Sequence, residues 1–171
     1  MNKIIRKIQY SEKVYRFDVE APLIAKSRKA GNFVIIRVDA NSERMPLTIA
    51  DADTEKGTIT LVVQKVGLSS TKLCNLNEGD EIHDVVGPLG NPTHIENFGT
   101  VLCAGGGVGV APMLPIIKAL KAAGNRVLSV IAGRSKDLVI MEDEVRASSD
   151  ELIIMTDDGS YGTKGVVTAA L

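Results

Sequence analysis

Residues 103–113 read Cys103-Ala104-Gly105-Gly106-Gly107-Val108-Gly109-Val110-Ala111-Pro112-Met113. Four glycines in the five positions Gly105–Gly109 stand between an apolar run and a segment of helical character. A strand that ends, a glycine turn and a helix that begins make up a βα unit of a parallel sheet. The turn then lies at the carboxyl end of the strand, where ligands bind in such sheets. A helix start offers unpaired N–H groups and a partial positive charge, which suit a pyrophosphate. Glycine removes the Cβ that would keep phosphates at a distance. The spacing over Gly105, Gly107 and Val110 is G-x-G-x-x-V, not the dinucleotide G-x-G-x-x-G, and no Gly-Lys-Ser/Thr follows as in a P-loop. The competing reading is a tight turn whose glycines serve packing alone.

Working downstream, Thr100–Ala104 reads as a buried strand and Pro112–Ala123 as a helix. Pro112 falls in the first turn, where its missing N–H costs nothing, and Pro115 is read within that turn too. Gly124-Asn125 stops the helix. Arg126–Ala132 is a second buried strand, Ser135 caps a helix running to about Ala147, and Glu151–Thr156 is a third strand. The order is β-α-β-α-β with nearly continuous apolar strands, which belong to a parallel sheet covered on both faces. Beyond Tyr161-Gly162 the residues TKGVVTAAL leave room for one short helix. Three strands are half of a doubly wound sheet, so the chain is read as C-terminally truncated. Two more loops leave this sheet on the glycine-loop edge. One is Ala132–Lys136, where Arg134 and Lys136 stand in place of the acidic residue of a typical NAD site. That leans toward a 2′-phosphate or toward solvated surface charge. The other is Thr156-Asp157-Asp158-Gly159-Ser160-Tyr161-Gly162, a polar loop facing the same crevice or a plain capped turn.

Upstream, residues 1–98 read as β. Lys3–Gln9, Val14–Glu20, Phe33–Val38, Pro46–Ala50, Thr58–Val66 and Glu81–Val86 are separated by turns at Ala21-Pro22, Gly31-Asn32, Gly57, Gly79-Asp80 and Gly87-Pro88. Six short strands at this spacing suggest a small barrel or sandwich. The domain boundary is placed between residues 98 and 99.

Composition excludes several classes. A net charge of −1 offers no electrostatic basis for binding nucleic acid or an anionic membrane. No apolar run approaches the roughly 18 residues of a membrane span. MNKIIRKIQY lacks the long apolar region of a signal peptide. Cys74 and Cys103 are far apart and read as buried reduced thiols, so the expected compartment is the cytoplasm. His83 and His94 make no metal set by themselves. Ser69–Lys72 has the S-x-x-K spacing, but its usual companion motifs are missing. With no Trp and 4% aromatics, a bound flat ring would rest on aliphatic residues and backbone.

Taken together, Arg44-Met45-Pro46-Leu47-Thr48, Gly87-Pro88-Leu89-Gly90, the Gly105–Pro112 loop and TDDGSYG resemble the ferredoxin-NADP reductase superfamily. The closest likeness is to the branch holding the electron-transfer subunit of dihydroorotate dehydrogenase and the small FAD subunit of NADH-dependent ferredoxin:NADP oxidoreductase. The resemblance covers essentially the whole chain. It implies a six-stranded antiparallel Greek-key β-barrel that binds FAD, followed by a partial Rossmann-like α/β domain (residues 99–171) that binds NAD(P)H. It also implies roles. Arg44 pairs with the FAD pyrophosphate. Thr48 sets its hydroxyl near flavin N5 as the catalytic side chain. Pro46, Leu47, Ile49 and Ala50 wall the ring. Gln64-Lys65-Val66-Gly67-Leu68-Ser69-Ser70-Thr71 matches a second flavin loop, in which Gly67, Ser69 and Ser70 give donors to the phosphates and Leu68 stands where the family has lysine. Gly105, Gly106, Gly107, Val108, Gly109 and Pro112 carry the nicotinamide cofactor's pyrophosphate. Arg134 lies nearby, and Asp157, Asp158 and Gly159 lie by the nicotinamide end. A larger flavoprotein or iron–sulfur subunit, or ferredoxin, is the implied partner. A [2Fe–2S] centre belongs to full-length relatives, and its cysteine cluster is missing here. The alternative reading is a non-catalytic nucleotide-binding or scaffold remnant.

Overall fold

Apolar–polar alternation builds the first half of the chain, and the computed structural model describes residues 2–170. The strands are β1 (Asn2–Gln9), β2 (Val14–Glu20), β3 (Phe33–Arg37), β4 (Met45–Asp53), β5 (Thr58–Gln64), β6 (Glu81–Ile82) and β7 (Asp84–Leu89). They pair antiparallel in the order β6-β1-β2-β5-β4-β3-β7. Alternate residues turn inward, and Ile4, Phe17, Val19, Val34, Ile36, Ile49, Ile59 and Leu61 form the core of this unit. Burying a side chain such as Phe17 stabilises the fold by about 1.5–3 kcal/mol over leaving it exposed.

The expected sixth strand, Glu81–Val86, is two strands. Ile82 pairs with Asn2 on one edge of the sheet, while Asp84 pairs with Arg37 on the other. One straight strand cannot serve both edges, so the chain changes partner at His83, whose N–H donates to Val38 O at 3.2 Å. Because β6 and β7 are nearly continuous in the chain, the sheet curls and closes on itself as a Greek-key barrel. The Ala21-Pro22 turn opens a short helix, α1 (Pro22–Ser27), which buries Ile24 and Ala25. Proline suits its first position. A second helix, α2 (Leu68–Asn75), follows β5.

The chain forms two compact units, one ending at Thr93 and the other beginning at His94. His94–Phe98 goes with the second unit because buried Asn125 donates to Glu96 O and accepts from Phe98 N–H.

In that unit β8 (Thr100–Gly106), β9 (Arg126–Gly133), β10 (Glu151–Thr156) and β11 (Thr163–Lys164) form a parallel sheet in the order β11-β10-β9-β8. β8 runs two residues beyond the expected Ala104. Gly105 and Gly106 pair with Ile131 and Ala132, since a ladder needs backbone rather than side chains. A 3-10 turn, Gly107–Gly109, leads into α3 (Val110–Ala122). That helix starts two residues earlier than expected, so Pro115 stands inside it rather than in its first turn.

The helix expected from Ser135 to about Ala147 is broken. A 3-10 turn covers Lys136–Leu138, and α4 spans Glu142–Ser148. Ile140 and Met141 are both buried at the break. Neighbours on a helix point about 100° apart, so leaving the helix, with Met141 at φ 56, lets both turn inward. The last segment holds β11 and a 3-10 turn, Val167–Ala170, where one short helix was expected.

The expectation of two covered faces is also corrected. Val127, Ser129 and Ile131 lie on the helix face, where Ser129 Oγ meets Ser149 Oγ at 2.7 Å. On the opposite face Val167 and Ala170 pack against Val130, Ala132 and Met155. Among the described residues, Leu102 and Ile153 on that face stay about half exposed.

Candidate functional site

The first unit gathers its candidates at one end of the barrel. Thr48 pairs with Phe33 and Pro46 with Ile35. Ile49 pairs with Leu61. In an antiparallel pair each step back along one strand is a step forward along the other. From the Ile49–Leu61 pair, Pro46–Thr48 and Val62–Gln64 therefore both run toward the end where β5 gives way to α2. The β4 register shifts between Ile49 and Asp51, leaving Ala50 as a bulge, a device that re-aims side chains near sites. Pro46 is exposed, Leu47 and Thr48 are half-buried, and Ile49 and Ala50 are buried. The last two therefore back the wall from inside the barrel.

Gln64, Val66, Gly67 and Leu68 are exposed, with Val66 and Leu68 each at 77%. A Cβ added at Gly67 would meet nothing within 4 Å. Packing does not demand glycine there. Ser70 is buried, and its hydroxyl accepts from Val66 N–H (3.0 Å) and Gly67 N–H (2.9 Å) while donating to Gly67 O (3.0 Å). It shapes the loop and has no hydroxyl to spare for a ligand. Half-buried Ser69 and Thr71 remain, together with the first N–H groups of α2, which a helix leaves without internal acceptors. Arg44 is exposed and makes no hydrogen bond or ion pair among the described residues.

Sequence reasoning missed what fastens these parts. Lys72 Nζ, on α2, donates to Asp39 Oδ2 (3.0 Å) and Ser42 Oγ (3.3 Å) in the loop that carries Arg44. The hydrogen bond from Lys72, reinforced by Ser42 and the Asn41 N–H, holds the Asp39 carboxyl at about 2, below its ordinary range. Lys7 Nζ, from β1, donates to Cys74 O and Leu76 O at 2.7 Å each and lies over the Tyr15 and Phe17 rings. It caps the carbonyl end of α2, where a cation complements the helix dipole. The S-x-x-K spacing drew attention to Lys72 for another reason, and only the fold shows its partners.

In the second unit Gly106 pairs with Ala132, and Thr156 with Gly133. The three loops after β8, β9 and β10 therefore leave the sheet side by side. The glycines of the first loop differ. A Cβ on Gly105 would press on Gly109 O at 3.2 Å and Met113 Sδ at 3.3 Å, which is a packing reason. Gly107, at φ 53, and Gly109 have nothing within 4 Å of an added Cβ, and Gly106 only Ala132 O at 3.9 Å. These glycines, with Val108 and with Pro112 in the first turn of α3, line open space. Packing does not account for Gly106 or Gly109, the φ of 53 by itself favours glycine at Gly107, and the open space leaves the backbone here accessible.

The neighbouring loops are braced together. Asp157 N–H donates to Gly133 O and Asp158 N–H to Arg134 O, each at 3.2 Å. Lys136 N–H donates to Ser160 Oγ, and its ammonium lies 5.2 Å from the Tyr161 ring centre. The Tyr161 hydroxyl reaches both Glu142 oxygens at 3.1 Å, which pushes its pKa up. The Ser160 hydroxyl and then the Ser160 N–H hold the Asp158 carboxyl down, so it serves the turn that includes Gly159. Arg134 and Asp157 are exposed, with side chains unpaired among the described residues. Burial pushes both thiols, Cys74 and Cys103, up. Among the described residues no group of three or more His, Cys, Asp or Glu could hold a metal, and no helix is long and apolar enough to cross a membrane.

A family model described as an oxidoreductase FAD-binding domain matches residues 2–94. The chain is 49% identical over 171 residues to the dihydroorotate dehydrogenase B (NAD(+)) electron transfer subunit homolog of Thermotoga maritima, covering 100% of this chain and 60% of that protein. It is 35% identical over 164 residues to the dihydroorotate dehydrogenase B (NAD(+)) electron transfer subunit of Bacillus caldolyticus, covering 92% and 63%. A solved structure of NADH-dependent reduced ferredoxin-NADP oxidoreductase, studied for flavin-based electron bifurcation, superposes with a TM-score of 0.95 at 46% identity, over 99% of this chain and 61% of that one. The chain thus spans about three fifths of the length of these relatives.

Proposed function

The chain belongs to the oxidoreductase FAD-binding domain family, and from that premise we propose that it is the flavin- and nicotinamide-binding part of an electron-transfer subunit. The carrying observation is that each unit has a glycine-lined helix start with open space where a Cβ would stand, at Gly67 and at Gly107–Gly109.

In the first unit the donor set fits FAD. Arg44 supplies an unpaired planar fork suited to phosphate oxygens, and the first N–H groups of α2 face the same anion. Val66, Leu68 and Pro46 offer exposed apolar surface to the flat ring system, in a unit with few aromatics. Thr48 is the side chain we assign to the reacting edge of the flavin. In the second unit Gly106–Gly109 take the pyrophosphate of NAD(P)H, with Arg134 and Asp157 free to meet its ribose groups. FAD held by these residues would supply the redox chemistry that links a two-electron nicotinamide donor to one-electron acceptors. No side chain of this chain has to be an acid or base for that.

The described residues provide no ligand set for an iron–sulfur centre, and no step is routed through one. A larger flavoprotein or iron–sulfur subunit, or ferredoxin, is the partner we propose, as the relatives bear the names of electron-transfer subunits. Free thiols at Cys74 and Cys103 support a reducing compartment, the cytoplasm. The unpaired Arg44 and the open glycine cradles favour a working site over a remnant.

An absorption spectrum of the purified chain tests this, followed by anaerobic additions of NADH and NADPH. Flavin bands that bleach with a nicotinamide nucleotide are expected. A colourless chain that also fails to take up added FAD would overturn the reading.

A further inference from the structure

The Arg44 loop and α2 are separate in sequence, yet one side chain joins them. Lys72 sits in the last turn of α2 and donates to Asp39 and Ser42, which lie five and two residues before Arg44. The Ser70 hydroxyl fixes the loop that opens the same helix. Lys7 holds the other end through Cys74 O and Leu76 O. Among the described residues Arg44 makes no hydrogen bond or ion pair that would set its place. Its loop is ordered by Asp39, which also accepts from Asn41 N–H at 2.9 Å, and through Asp39 by Lys72.

We propose that Lys72 is a positioning residue for the diphosphate site, tying the Arg44 loop to α2 so that the guanidinium and the helix N–H groups meet one anion together. The inference rests on the FAD reading above. Lys72 does not touch the cofactor. It acts through Asp39 and Ser42 on where Arg44 can reach. Without it the loop between β3 and β4 loses these two hydrogen bonds to α2, and Arg44 has to be ordered when FAD binds.

The test is a double-mutant cycle on the full chain, with FAD affinity read by quenching of flavin fluorescence. Arg44→Met weakens FAD binding about tenfold to a hundredfold, as loss of a charge-assisted contact does. Lys72→Met weakens it about two- to fivefold, the range of a partly exposed ion pair. Asp39→Asn, which attacks the tie from the other side, falls in the same range, and Lys72→Arg restores at least half of the loss. The distinguishing outcome is non-additivity: in an Arg44→Met background, Lys72→Met changes affinity by less than 1.5-fold, on the order of the scatter of additive pairs. A merely structural lysine would give the same factor in both backgrounds, and that result overturns the proposal. So does an unchanged affinity in both Lys72→Met and Asp39→Asn. If Arg44→Met leaves FAD affinity unchanged, the flavin-site reading fails instead, which the cycle separates from failure of the tie. Thermal melts of each variant exclude a loss that comes from unfolding.

Discussion

Replacing Gly109 with alanine separates a glycine kept for the fold from a glycine kept for a ligand. Gly109 has φ −64 and ψ −14, right-handed values that alanine adopts freely, and an added Cβ meets nothing within 4 Å. On the folding side a compatible Gly→Ala change stabilises by about 0.4–1 kcal/mol, through the unfolded chain. The melting temperature should hold or rise. On the ligand side a methyl carbon needs about 3.5 Å from a phosphate oxygen, against about 2.9 Å for the N–H···O bond it displaces. One charge-assisted bond lost this way is worth about 1.5–3 kcal/mol, or roughly ten- to a hundredfold in affinity. Isothermal titration with NADH and NADPH measures the affinity, and anaerobic stopped-flow measures flavin reduction. Gly105→Ala is the contrasting control, since its Cβ presses on Gly109 O and Met113 Sδ and should lower the melting temperature. A Gly109→Ala chain of normal stability that binds both nucleotides within twofold of the parent would refute the cradle argument. A Gly109→Ala chain that melts early would refute the geometry.

Gly162→Ala places a side chain at φ 64 and drives its Cβ into the Ile154 carbonyl, so it should destabilise by at least about 2 kcal/mol in denaturant titration. Thr48→Val keeps the shape of a half-buried residue but removes its hydroxyl. It should slow flavin reduction about fivefold, the worth of one hydrogen bond, with FAD affinity unchanged. The Asp39 carboxyl is held at about 2 by Lys72, against an ordinary 3.8. A folded pKa lowered in this way gives stabilisation that is full above the ordinary value and fades as pH falls through about 2. Stability against denaturant should therefore show no loss from this pair between pH 8 and 5 and decline between about 4 and 2. Asp39→Asn should remove that acid-side decline, and denaturant titration across the range checks it.

The Lys121–Asp150 and Arg126–Glu151 pairs lie on the surface of the second unit. Exposed pairs of this kind contribute little, so that unit is held chiefly by its buried strands.

The order of elements was legible from local chemistry. Glycine clusters, alternating strands and the apolar runs of β8, β9 and β10 act over a few residues, and their periods name strand or helix without reference to the rest of the chain. RMPLT and the Gly105–Gly109 loop stood out for the same reason, because what marks them is local backbone and a nearby side chain. What depended on distant partners could not be read. His83 divides a strand only because Asn2 and Arg37 lie on opposite edges of a closing sheet. Ile140 and Met141 break a helix because both have core to fill. Ser70 spends its hydroxyl on its own loop, and Lys72 reaches back to Asp39, 33 positions earlier. Which glycine faces packing and which faces open space is a property of neighbours that only the folded chain brings together. Local propensity depends on the residue and its near neighbours, while partner choice depends on which distant groups tertiary packing brings within about 3 Å.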